Sequence, residues 1–116
     1  MTPPIPADQV GAQAFAKEDF FQRHRKDRAR ADDVWRSLVA KRQALLADSA
    51  YGPVFHPPTL PASLQHYLTL RVIKGLPRAF RAVYAVFRDP RVGLVVEIEW
   101  VGDHKEYDGL FGYSTS

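Results

Sequence analysis

The sequence predicts an α+β fold in which N-terminal helices pack on a small antiparallel β-sheet. Two observations carry that prediction. Residues 17–47 hold neither Gly nor Pro and are rich in Ala, Arg, Lys, Gln and Leu, whereas three apolar or alternating runs follow the prolines at 57, 58 and 61. Helix formers therefore come first and β-formers second, which makes segregated elements and not a repeating βαβ pattern. With 116 residues the chain has the length of one domain, and 46% hydrophobic with 25% charged residues is ordinary globular usage.

The first seven residues are Pro-rich and aperiodic and read as a flexible leader; with no basic start and no apolar run, they do not resemble a secretory signal. In the helical half Val34, Trp35, Leu38, Val39, Leu45 and Leu46 recur at three- and four-residue steps and form one stripe, with Asp32 or Asp33 as the expected cap. The mixed-charge run RHRKDRARADD, residues 23–33, is too polar for a core and suits either the exposed end of one helix or the turn between two. Gly52 and Pro53 are expected to end the helical half, glycine by adopting the left-handed conformation and proline by blocking continuation.

The predicted strands are YLTLRVI (67–73), FRAVYAVFR (80–88) and LVVEIEWV (94–101). Their connections, KGLP and the stretch from Asp89-Pro90 to Gly93, are short enough to require antiparallel neighbours. Leu68, Leu70, Val72, Leu94, Val96, Ile98 and Trp100 are the expected inward positions, with Glu97 and Glu99 opposite. The run from 94 to 101 is broken by those glutamates, and no stretch reaches the ~18 apolar residues of a membrane helix, so a cytoplasmic chain is expected.

There is no Cys, which removes disulfides, thiolate metal sites and cysteine nucleophiles. No phosphate-binding Gly loop, HExxH, GxSxG or calcium-loop pattern occurs, and His24, His56, His66 and His104 lack a metal-ligand spacing, so neither metal nor cofactor is expected. His24 and His66 read as surface residues. The formal charge of +3 is unevenly placed: Arg71, Lys74, Arg78, Arg81, Arg88 and Arg91 stand against Asp89 alone, a net of +5 over residues 71–91. That stretch suits an anionic partner, and equally a solvated basic edge strand.

Arg81 with His104 and Tyr107 is a combination fitted to metal-independent phosphodiester chemistry. A guanidinium binds two phosphate oxygens and stabilises charge on a phosphorane, while a His or Tyr moves protons. The same His104 and Tyr107, three residues apart, would also suit a packed C-terminal helical turn. Should Arg81 share a sheet face with Glu97 or Glu99, a cross-strand ion pair would be the alternative role.

The run R-V-x-x-G-x-P-R-A-F-R-A-V-Y, an apolar strand, and then D-H-x-x-Y-x-x-L-F-G-Y resemble the RelE/ParE superfamily over residues 61–113. Members of that superfamily are toxins of type II toxin-antitoxin pairs. The resemblance implies a toxin acting as a ribosome-dependent mRNA endoribonuclease, or alternatively a ParE-like DNA gyrase inhibitor or an inactive antitoxin-binding homologue. Its implied partners are a cognate antitoxin and mRNA on the ribosome. Carried onto this chain, Arg81, His104 and Tyr107 would be catalytic and Arg71, Lys74 and Arg78 would bind RNA. It also implies a strand ahead of the helices, for which Ala14-Phe15-Ala16 is the candidate.

Overall fold

The computed structural model describes residues 3–113; of the leader expected over the first seven residues, Met1 and Thr2 lie outside them. The remainder of that leader is tied down from Ile5 onward. Ile5 N–H donates to Asp48 Oδ1, the Ile5 carbonyl accepts from Ser49 N–H, and Ala7 N–H donates to the Leu46 carbonyl.

A short strand β1 (Gln9–Ala12) leads into α1 (Ala14–Arg23), α2 (Arg28–Val39) and α3 (Arg42–Ala47). After an irregular stretch come β2 (Leu70–Ile73), β3 (Arg81–Asp89), β4 (Gly93–Gly102) and α4 (His104–Phe111). The sheet order is β1-β4-β3-β2, antiparallel except for the parallel β1–β4 pair. The strand ahead of the helices thus exists, but it is Gln9–Ala12; Ala14-Phe15-Ala16 opens α1, where the Gln13 side chain caps the Ala16 N–H at 2.8 Å. β1 has only Val10 half-buried and Gly11 at its centre, so its identity comes from the ladder on β4 and not from local preference.

The polar run 23–33 spans the turn between two helices, residues 24–27, and the first half of α2. Asp27 caps α2 by accepting from Arg30 N–H at 3.1 Å, five residues before the expected cap at Asp32. Ala16 and Phe20 of α1, Ala31, Val34 and Leu38 of α2 and Leu45 of α3 then close on Ile73, Ala82, Tyr84, Val96, Ile98 and Val101 of the sheet. Val39, at the end of the predicted stripe, is 54% exposed.

The other sheet face is covered as well. Leu70, Val72, Val83 and Ala85 pack beneath Phe55, Leu64, Tyr107 and Phe111. Leu70 and Val72 therefore face away from the helical layer they were expected to meet, and Leu68 lies outside the strand and fully in solvent. Being covered on both faces explains why four successive β3 residues, Ala82 to Ala85, are fully buried and why the run reads as continuous apolar sequence.

Between β3 and β4 the pairing shifts: Val83 opposes Trp100 while Tyr84 opposes Ile98, so Glu99 is an inserted bulge residue. The insertion reverses side-chain parity. Val96 and Ile98 face the helices as expected, but Trp100 turns to the opposite face against Phe111, and Val101 takes its place in the helix-side core.

Gly52 is needed for a close approach and not for a helix cap, since α3 has already ended at Ala47. A Cβ at Gly52 would lie 2.3 Å from the Val72 carbonyl oxygen. Its N–H donates to the buried Tyr84 hydroxyl, which donates in turn to the Ser49 carbonyl, both at 2.9 Å. Tyr84→Phe would leave that N–H and carbonyl buried without partners and is expected to lower the unfolding free energy by about 1–3 kcal/mol. Urea unfolding should show a lower midpoint at unchanged slope.

Candidate functional site

β3 begins at Arg81, opposite Gly102, where β4 ends and α4 follows after one residue. α4 starts with a capping box: the Asp103 carboxylate accepts from Glu106 N–H, and the Glu106 carboxylate accepts from Asp103 N–H, both at 2.9 Å. Gly112 ends it in the left-handed conformation, φ 78°. These ends place Tyr107 and Phe111 on the sheet with His104 one turn nearer the start.

Arg81 shares its sheet face with Val83 and Ala85, and so with Glu97, which opposes Ala85. The faces coincide, yet among the described residues Arg81 makes no ion pair. Its guanidinium carbon lies 4.6 Å from the centre of the Tyr107 ring, a cation–π contact. Tyr107 is 3% exposed and its ring stacks nearly parallel on Tyr113, centroids 5.3 Å apart. Burial, reinforced by a hydrogen bond with the Tyr113 hydroxyl and opposed by Arg81, pushes the Tyr107 hydroxyl up to about 12. Near neutral pH it keeps its proton.

His104 is half exposed, with Nε2 3.1 Å from Oδ2 of Asp108, a carboxylate whose side chain is 6% exposed. A buried acid four residues along the helix thus orients an imidazole that solvent can reach. Asp108 was missed in the sequence, although its helical spacing from His104 was there to be read.

The basic residues separate. Lys74 and Arg78 are exposed on the connection leading into Arg81, and Arg78 and Ala79 both hold left-handed backbone, φ 57° and 61°, a strained pair of non-glycine residues. Arg71 pairs with Tyr84 and lies on the helix-side face, opposite to Arg81, where its Nη1 donates to the Gly52 carbonyl at 2.7 Å. It braces the chain after α3 and does not join the cations around Arg81.

A second polar cluster joins α1 to α4. Arg23 donates to Asp19, to Glu106 and to the Val101 carbonyl, and its guanidinium lies over Trp100. His24, expected at the surface, packs its ring on Phe20 and Phe80 with Nε2 2.7 Å from Glu106 Oε1. Burial raises the Glu106 carboxyl, but hydrogen bonds from Asp103 N–H, Arg23 and His24 outweigh it and hold the group below its usual range. Donor atoms of His24, Asp103 and Glu106 lie within 4.8 Å of one another, the one such grouping among the described residues. Both Glu106 oxygens are already engaged, one of them by Arg23, so the cation at this knot is the chain's own guanidinium.

The third cluster lies at the bulge. Tyr67 hydroxyl lies 2.9 Å from Glu99 Oε1 and 3.4 Å from Glu97 Oε1, while Glu99 Oε2 is buried without a donor. Burial first, and then the hydrogen-bonded and negatively charged Glu97, push the Glu99 carboxyl up to about 8. The Glu99 carboxyl therefore keeps its proton near neutral pH. No family model, curated protein or solved structure matches this chain.

The proton on Glu99 has a measurable consequence. The folded state holds it up to about pH 8, whereas an unfolded glutamate loses it near 4.5, so stability is full below the lower value and falls as pH rises through the higher one. The thermal midpoint should decline between pH 5 and 9, and Glu99→Gln should flatten that decline.

Proposed function

We propose that this chain is the toxin of a toxin-antitoxin pair, a metal-independent endoribonuclease that cleaves mRNA on the ribosome. The observation that carries the reading is Arg81: a cation with no carboxylate partner among the described residues, held on the Tyr107 ring beside the helix that bears the His104–Asp108 pair. Two further features support it. Lys74 and Arg78 are exposed on the approach to Arg81, and a strand precedes the helices, as the RelE/ParE resemblance implies.

Arg81 binds the scissile phosphate and stabilises the charge that grows on its oxygens. His104 takes the proton of the 2′-hydroxyl as the O2′–P bond forms and the P–O5′ bond breaks, with Asp108 balancing the imidazolium. The leaving 5′-oxygen takes its proton from water. The products are a 2′,3′-cyclic phosphate and a 5′-hydroxyl. Tyr107 positions Arg81, and Lys74 and Arg78 draw the RNA backbone to it.

Induced expression should arrest translation, with cuts mapping to ribosome-bound message. Arg81→Ala should slow cleavage by about 10²–10³ and His104→Ala by about 10²–10⁴, while Tyr107→Phe, which keeps the ring under Arg81, should stay within about tenfold of wild type. Toxicity unchanged in the Arg81→Ala, His104→Ala double variant overturns the proposal. DNA breaks that depend on gyrase, without RNA cuts, would assign the gyrase-inhibitor alternative.

A further inference from the structure

A cavity of about 380 Å³ opens beside the Glu99 bulge, between the start of α1, the turn around residues 61–67 and the outer side of α4. Its walls include Phe15, Tyr67, Trp100 and Leu110, and Glu99 lies among them. Phe15 is 68% exposed and Leu110 38%, large apolar groups held at the mouth with none of the described residues over them. No Lys or Arg lines the cavity.

The charges around it are all negative or already balanced. Asp19 is engaged by Arg23 at 2.9 Å. Glu97 and Glu99 meet only the Tyr67 hydroxyl and each other, and among the described residues no cation pairs with either. His66 stands at the rim, its ring 3.9 Å from that of Tyr67. A phosphate-bearing ligand would meet these carboxylates with no counter-charge. An aromatic-walled hollow with a carboxylate and no basic residue instead has the chemistry that recognises an organic cation, through ring faces around the cationic group and an ion pair at its head.

We propose that this cavity is a binding site for an alkylammonium or alkylguanidinium group, which pairs with Glu99 between the rings of Phe15 and Tyr67. The site is independent of the RNA-cleaving reading, since it uses none of Arg81, His104 or Asp108. The incoming cation replaces the proton that Glu99 holds, and that proton leaves to solvent. Binding is therefore linked to pH: with the Glu99 carboxyl raised to about 8, affinity should climb with pH and level off above that value.

The test is titration of the full chain with butylguanidinium chloride, following the Trp100 indole N–H by NMR, with butylurea as an uncharged control. A saturable shift with butylguanidinium and none with butylurea is expected, about fivefold tighter at pH 8 than at pH 7. Glu99→Gln should abolish it. Phe15→Ala, which removes an exposed ring and leaves the core intact, should weaken it several-fold, so the outcome does not hang on the folding of the Glu99 variant alone. A parallel titration with the blocked tripeptide acetyl-Gly-Arg-Gly-amide separates the sources. Tenfold tighter binding than butylguanidinium assigns the site to an arginine of a partner chain, and equal or weaker binding assigns it to a free small cation. Absence of a saturable shift with both probes, or identical shifts in Glu99→Gln, overturns the proposal.

Discussion

The pairing of β3 with β4 is the constraint on which the rest of the molecule rests, and its decisive detail is one inserted residue. Up to Ile98 the strand alternates between the helical layer and the far face; at Glu99 the ladder skips, and Trp100 emerges on the side that Ile98 had turned away from. Two consequences share this cause. Trp100 becomes the platform for Phe111, and Val101 completes the core beneath the helices. Bulges re-aim side chains, and this one sets a packing surface on each face of the sheet.

The helix that follows is held by polar contacts as much as by its apolar face. Glu106 closes its own capping box and receives Arg23 and His24 from the end of α1. Arg23 also spans Asp19 and the Val101 carbonyl and covers the Trp100 ring. The two layers on opposite sides of the sheet are thereby joined around its margin, which fixes Tyr107 under Arg81. Polar groups are divided by the same construction: exposed cations lead into Arg81 at the start of β3, while Glu97 and Glu99 gather around the Tyr67 hydroxyl at the bulge.

Much of the fold was legible because its signals are local. The expected strands at 80–88 and 94–101 differ from the observed β3 and β4 by a residue at most at each end, and the short turns between them required the antiparallel meander that is present. Of the candidate site, Arg81, Tyr107 and His104 were all named from residue type. The structure brings Arg81 onto Tyr107 and adds Asp108 to His104. The role of Arg71 was not legible, because an arginine that braces a carbonyl from 19 residues away looks in sequence like any other strand cation.

By itself the sequence determined that helices precede a three-strand meander, where that meander turns and most of the residues it buries, since each depends on neighbours within a few positions. Tertiary structure alone decided which sheet face each residue meets. Side chains alternate with a period of two, so a single bulge inverts every assignment beyond it, and no local pattern announces the insertion. It also decided that Gln9–Ala12 is a strand and that His24 is an internal ligand of Glu106. Those outcomes come from partners that lie near in space but far along the chain.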